Sequence, residues 1–483
     1  MYLVLLLGAT VLLGLGRTVG VEDFWFHTAT GRVIVTEQRI PTVDTYSFTQ
    51  AGEPFFNQGW LAQLAFYLQH EFGGLELVLL IHALVITAAF AVLVLLCREV
   101  GASKRLTAAA LGLVALPLSV ENFGVRPQAY VYVLFALALW CVWGARHRAR
   151  TGPTVRTKRL WMLPLIVAVW ANVHGSFPLA LALVVAVLVG DATARRLGQP
   201  APAAAFDRRL AAAGAAAALA TVVHPGGWRV WGYVLELTTN SAVTRFVAEW
   251  QTPTLRDATG LAFFAALFAL GGALATTRHR MEPAPALLAL GFAVLGVSAI
   301  RNVVWFGLVA AVLLAGALSG RLPDRERSGA GRPLANLTLV VVIAALVVLA
   351  LPWVRPHLGV SRLAPLHNPY TPIAAAEALN QLDEAPHRLF NELGYGSYLI
   401  WARPDHQVFV DPRFELYPPE LLNDYQVLSA GYDADRLLAE YAIDGVLADA
   451  ERQAGLVTHL RAADGWRVAY EDDISVLFLP MIE

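Results

Sequence analysis

Residues 2–34 read YLVLLLGATVLLGLGRTVGVEDFWFHTATGRVI, and the order of three features in this stretch decides the architecture. An apolar run without a charge, 2–16, comes first. Two adjacent carboxylates, Glu22 and Asp23, follow shortly after it. An aromatic cluster, Phe24, Trp25 and Phe26, comes next and leads into His27. Roughly 20 apolar residues carry a helix across a bilayer. The run lacks a basic leading segment and a small-x-small cleavage site ahead of Arg17, so it reads as a retained helix rather than a signal peptide. Ionisable groups at such a helix mouth are costly and usually have a task.

Ten more apolar runs follow, at about 75–97, 105–119, 128–144, 160–171, 177–190, 210–223, 259–277, 284–300, 302–318 and 335–353. The composition agrees. Of 483 residues, 57% are hydrophobic and 15% charged, and the mean hydropathy is +0.54. Soluble domains carry about 25% charged residues, so a soluble globular protein is excluded. So is a disordered chain, which needs low hydrophobicity. With 36 Lys and Arg against 37 Asp and Glu there is no basic excess for nucleic acid. The two cysteines, Cys97 and Cys141, both lie in apolar runs and build neither a disulfide framework nor a metal site.

Lys and Arg are unevenly shared between alternate loops. The set 98–105, 145–159, 191–209, 278–280 and 319–333 holds 19, and the opposite set, with Arg301, holds 8 over a greater length. Cytoplasmic loops carry the excess. The expectation is therefore a polytopic α-helical membrane protein with a cytoplasmic N-terminus and about eleven transmembrane helices in 1–354. The long loop 17–74 and the tail 355–483 lie outside. The tail alternates helical patterns (373–382, 435–441, 456–463) with strand patterns (388–391, 407–410, 445–448, 467–470, 475–479), which reads as a small extracytoplasmic α/β domain.

The polar residues at helix ends collect on that outer side. Glu22, Asp23 and His27 follow the first helix. Arg126 lies in FGVRPQ, Asn172 and His174 in WANVHGS, His224 and Arg229 in HPGGWR, Glu249 before Trp250, and Arg301 in IRN. A histidine satisfied by a nearby carbonyl, or an arginine reaching the headgroups, explains any one of them. Their concentration on one face points to a shared site. The aromatic-rich loop 17–74, with Trp60 in NQGWLAQ, is expected to lie on the membrane surface as short interfacial helices.

The run D-x-W-x-H-x-x-x-G-x-x-I from Asp23, then P-x-x-D-x-Y-S through Asp44, then Trp60-Leu61, resembles a group of bacterial multi-spanning proteins near the GT-C superfamily of membrane glycosyltransferases. The segments RPQ, WANVHG, HPGGWR, EW and VFVDPRFELY resemble the same group, so the likeness runs from about Val21 to the C-terminus. The superfamily includes the dolichyl-phosphate-mannose protein mannosyltransferases and the lipid A aminoarabinose transferases. The resemblance implies a polyprenyl-phosphate-linked sugar donor, an acceptor that is a glycan, lipid or protein, and transfer at the outer face. It also implies that the first-loop carboxylate acts as base, a position Asp23 matches with Glu22 beside it. Many members show Asp-Glu where this chain has Glu-Asp. A second carboxylate found in several members has Glu249 or Glu121 as its nearest counterpart.

Such a transfer needs a carboxylate to take the acceptor proton and a cation to receive the departing phosphate. Arginine suits the second task through its planar fork. Arg126 and Arg301 are the donor-phosphate candidates, with His174 and His224 as helpers when protonated. His27, Asp44, Trp60, Glu249, Asp411 and Arg413 are acceptor or supporting candidates. For Asp411 and Arg413, in VDPRFELY, a structural turn with an ion pair competes with acceptor recognition. No cofactor is required. A divalent metal is open on the spacing of Asp23 and His27, four apart on one helix face, joined by His174 and His224. GYGS at 394–397 is too short for a phosphate loop, which disfavours a nucleotide-sugar donor. The competing functions are a transporter or flippase of a lipid-linked substrate, and a non-catalytic assembly protein that reuses the fold.

Overall fold

The computed structural model describes residues 1–21, 23–152, 157–240, 247–276, 282–319, 333–359 and 365–481. Contacts divide the chain into two compact units that are not contiguous in sequence. The first comprises 1–17, 76–234 and 248–364, and the second 18–75, 235–247 and 365–483. The sequence reading drew one boundary, at 354/355; contacts group the loop after the first helix with the C-terminal segment.

The first unit is helical. Among the described residues each of the eleven apolar runs lies mostly on helical backbone, with turns at 116–119 and 351–353; residue 277 lies outside the described residues. Among them six helices are long and apolar enough to cross a membrane: Trp60–Glu99, Gln128–Thr151, Pro178–Arg196, Ala258–Ala275, Ile300–Ser319 and Pro333–Ala350. The chain is a multi-pass membrane protein. Two apolar helices are shorter, α1 (Tyr2–Leu15) and Pro283–Ser298. Elsewhere an apolar run is divided. Lys104–Ala110 passes into a π-turn, Leu111–Ala115, and a 3-10 turn, Lys158–Met162, precedes Leu163–Val173. Proline at the first helical turn, as in Pro178–Arg196 and Pro283–Ser298, is pre-set for the helix and sacrifices no needed N–H.

Inside this unit the aromatic rings of Phe135, Trp170 and Trp305 pack together, with Phe135 and Trp305 centroids 5.1 Å apart. Buried charges are paired: Arg146 with Asp191 at 2.6 Å, Arg159 with Glu99 at 2.7 Å. Pro333–Ala350 has no buried residue and exposes Leu334, Leu337 and Val341, a largely apolar surface that suits lipid. Arg355 donates to the carbonyls of Leu15 and Arg17, which satisfies the open C-terminal end of α1.

The second unit is built on a four-stranded sheet: β1 (Leu389–Asn391), β2 (Gly445–Asp449), β3 (Trp466–Glu471) and β4 (Ser475–Pro480), in the order β1-β2-β4-β3. β1 and β2 are parallel and the other pairs antiparallel. Helices Leu393–Ala402, Pro419–Ser429 and Ala434–Glu440 fill the β1-to-β2 connection. The strand pattern at 407–410 makes only isolated parallel bridges, Val408 to Leu389 on one side and to Ser47 on the other.

That second bridge joins the N-terminal loop to this sheet. Val408 N–H donates to the Tyr46 carbonyl at 2.9 Å, and Phe48 N–H to the Val408 carbonyl at 3.0 Å. Val19 and Leu366 are joined similarly at 2.8 Å. The loop's helix α2 (Phe24–Glu37) packs on Leu393–Ala402 and buries Phe24, Trp25 and Phe26. The expectation of an aromatic loop lying on the membrane surface is thereby corrected for these three rings. Aromatic side chains suit an interface and a protein core equally, and here the core has them.

The next helix, α3 (Trp60–Glu99), is interrupted at Gly73 and Gly74, the latter at φ +64°. A side chain at Gly74 would be strained, and the dipeptide interrupts the helix ahead of its apolar span. At Gly31 a Cβ would lie 2.2 Å from the Gln63 carbonyl oxygen, so α2 and the start of α3 touch backbone to backbone.

Candidate functional site

In the first unit the structure brings three expected residues together. Arg126 sits between the turn Val120–Asn122 and the helix that starts at Gln128, and Glu249 lies in the turn Ala248–Trp250. Their side chains pair at 2.6 Å, both partly exposed. Arg301, in the turn Ile300–Asn302, stacks over the Trp250 ring at 5.0 Å. Ile300 N–H donates to the Gln251 carbonyl at 2.9 Å and joins the two turns. Burial alone would raise the Glu249 carboxyl, but Arg126 and then Arg301 outweigh it and hold it below the usual range. The cluster holds two guanidinium groups and one carboxylate.

His174 and His224 each close a tight turn. The Nδ1 of His174 accepts from Ser176 N–H at 3.1 Å, and that of His224 from Gly226 N–H at 2.9 Å.

In the second unit, Asp23 precedes the first residue of α2, where an aspartate ordinarily caps. Its side chain makes no cap hydrogen bond. The N–H of Phe26 is satisfied instead by Ser397 Oγ at 3.0 Å. Glu22 lies outside the described residues. Trp60 opens α3. His27, one turn after Asp23, meets Gln63: the amide Nε2 donates to the ring Nδ1 at 3.3 Å. Burial, and then the nearby Arg413, push His27 down to about 3, so it is neutral across the physiological range.

Asp44, Asp411 and Arg413 form one buried network, none more than 3% exposed at the side chain. Arg413 Nε donates to Asp411 Oδ1 at 2.8 Å, and its Nη2 to Asp411 Oδ2 and Asp44 Oδ1, each at 2.6 Å. Tyr417 O–H donates to Asp411 Oδ2 at 2.7 Å, and Ser47 O–H to Asp44 Oδ2 at 2.6 Å. Burial opposes the Asp411 charge, but the Arg413 guanidinium outweighs it and holds the carboxyl below its ordinary value. The Arg413 guanidinium lies about 5 Å from the Tyr46 and Phe55 ring centres. This is a joint between the N-terminal loop and the C-terminal segment. Sequence reasoning did not single out Ser397, Gln63 or Tyr417, although all three stand in quoted segments, GYGS, NQGWLAQ and VFVDPRFELY. Among the described residues no three His, Cys, Asp or Glu side chains gather as a metal-ligand set, so Asp23 and His27 do not join the other histidines in one.

No protein family and no curated protein matches the chain in sequence. Solved structures do match in fold. The Archaeoglobus fulgidus oligosaccharyltransferase, tethered with an acceptor peptide, superposes with a TM-score of 0.57 at 13% identity, over 100% of this chain and 74% of that one. ArnT from Cupriavidus metallidurans, bound to undecaprenyl phosphate, gives 0.53 at 15% identity, over 99% of this chain and 97% of that one. The mycobacterial arabinofuranosyltransferase AftD gives 0.59 at 17%, over 100% of this chain and 40% of that one.

The chain has the GT-C fold. Within that fold the described site residues fall into two groups. Arg126, Glu249 and Arg301 make a partly exposed cluster. Asp44, Asp411 and Arg413 make a closed one.

Proposed function

We propose that this protein transfers a sugar from a polyprenyl-phosphate-linked donor to an acceptor at the outer face of a bacterial plasma membrane. The observation that carries the reading is the partly exposed cluster of Arg126, Arg301 and Glu249 in a GT-C fold. Two planar guanidinium forks suit a phosphate. ArnT, solved with undecaprenyl phosphate, supports the choice of lipid.

In the proposed reaction an acceptor hydroxyl oxygen attacks the anomeric carbon of the donor sugar. The bond from that carbon to the phosphate oxygen breaks, and its electron pair leaves with the polyprenyl phosphate. The hydroxyl proton passes to the Asp23 carboxylate. Arg126 and Arg301 receive the charge that grows on the phosphate as the bond breaks. The Asp44–Arg413–Asp411 joint holds the loop that carries Asp23. No step runs through a metal.

The test is turnover of polyprenyl-phosphate sugars by the purified chain in lipid nanodiscs, read as released polyprenyl phosphate. Asp23→Asn is expected to lower the rate by a factor of at least about 100, with wild-type thermal unfolding and wild-type lipid binding. Full activity in that variant would remove Asp23 from the role of base.

A further inference from the structure

The segment NQGWLAQ, 57–63, opens α3, and its first turn is built on Gly59, whose carbonyl accepts from Ala62 and Gln63 N–H at 3.0 and 3.2 Å. The polar side chains around that turn are buried and incompletely satisfied. Asn57 is 6% exposed, and neither its amide nitrogen nor its amide oxygen has a hydrogen-bond partner. Gln63 is 1% exposed; its nitrogen reaches His27, and its oxygen has no partner. Trp25 is 4% exposed, and its indole N–H has none. The Asp44–Asp411–Arg413 joint of the same unit leaves no such atom. Buried polar groups are nearly always paired, so orphaned ones call for a cause, and local rules tend to be broken where function requires it.

The chemistry of these atoms is uncharged. Asn57 offers two donors and an acceptor, and Gln63 an acceptor. Phosphate recognition favours arginine. Neutral amides match vicinal hydroxyl groups, each a donor and an acceptor. The location also fits. Gln63 is fixed to α2 by the His27 bond and by the backbone contact at Gly31, and His27 shares a helix face with Asp23.

We propose that Asn57 and Gln63, which flank the first turn of α3, form a subsite for the hydroxyl groups of a sugar, anchored through Gln63 on the face of α2 that carries Asp23. The proposal rests on the glycosyl-transfer reading and adds the residues that recognise the carbohydrate.

The test uses the full chain in nanodiscs and two near-isosteric variants, Asn57→Leu and Gln63→Met. Binding is measured for undecaprenyl phosphate, for the same lipid carrying arabinose or mannose, and for soluble arabinan and mannan oligosaccharides. The variants are expected to bind undecaprenyl phosphate as wild type does and to bind a sugar-bearing ligand about tenfold more weakly. The ligand-free variants are also expected to melt a few degrees higher, because the orphaned groups are gone. A loss confined to the sugar-bearing lipid assigns the subsite to the donor; a loss confined to oligosaccharides assigns it to the acceptor. Unchanged sugar affinity in both variants, lower melting temperatures, or a wild type that binds no sugar in any form overturns the subsite. A wild type that ignores undecaprenyl phosphate but binds oligosaccharides through Asn57 overturns the donor lipid and leaves the subsite standing.

Discussion

Replacing Arg413 with methionine removes three side-chain hydrogen bonds at once, two to Asp411 and one to Asp44. Taken singly, bonds to charged groups contribute about 1.5–3 kcal/mol each, which would sum to about 5–9. Bonds that share a partner are not additive, so the better guide is loss of one member of a buried ion pair, about 3–5 kcal/mol. The upper end applies, because two carboxylates are left facing each other without their cation. Methionine retains much of the packing between Tyr46 and Phe55 but loses the cation–π attraction. About 5 kcal/mol corresponds to roughly 10³–10⁴ in the opening equilibrium of this joint. Hydrogen exchange reads it directly, since the amides of Tyr46 and Ser47 donate to Asp44, that of Phe48 to Val408 and that of Arg413 to Asp411. In Arg413→Met the peptides covering 44–49 and 408–417 are expected to exchange faster by several hundredfold or more. Arg413→Lys keeps the charge, loses the fork and is expected to fall between. Exchange within about threefold of wild type in Arg413→Met would refute the claim that this network joins the two segments.

The remaining expectations concern charge. His27 has a folded value of about 3 against an ordinary 6.5, so the unfolded chain binds the proton more readily. Its contribution to stability is complete above about pH 6.5 and declines as the pH falls towards 3. Asp411 acts in the same direction below the ordinary carboxylate value, because its folded value is depressed. His27→Leu is therefore expected to flatten thermal stability between pH 6.5 and 4, and an unchanged pH slope would show that the ring is not buried neutral. For the phosphate cluster, Arg301→Ala is expected to weaken undecaprenyl phosphate binding about tenfold. Glu249→Gln removes the competing carboxylate and is expected to strengthen it severalfold, with both effects shrinking at high salt. Titration in nanodiscs at two salt concentrations checks the pair, and equal affinities across all three proteins would take the phosphate away from this cluster.

What was legible from sequence follows from the range of the physics involved. Helical backbone is local, and the described residues of all eleven apolar runs lie mostly on it. Helix length is less local: the π-turn after Ala110 and the 3-10 turn before Leu163 depend on packing that hydropathy does not record. Arg126, Glu249 and Arg301 were legible as a group because charge near an apolar run is conspicuous. The Arg126–Glu249 pairing was not legible, since 123 residues separate them. The N-terminal loop was the hardest case. TYSFT at 45–49 and VFVD at 408–411 each read as a short extended piece, and only their mutual pairing makes them part of one sheet. The N-terminus of α2 misleads for the same reason. Asp23 stands where a cap belongs, and the capping oxygen comes from Ser397, hundreds of residues later in the chain.

Burial separates the two ionic clusters by role. In the second unit one guanidinium faces two carboxylates, and the excess negative charge is stabilised by donors already in place, Tyr417 on Asp411, and Ser47 and Tyr46 N–H on Asp44. The network is closed on all three members, and its burial excludes a ligand. In the first unit Arg126, Arg301 and Glu249 gather in a partly exposed setting. Planar guanidinium forks that solvent can reach are what phosphate recognition uses. By that criterion Arg413 and Asp411 serve the structure despite their conspicuous motif, and the proposed phosphate belongs with Arg126 and Arg301.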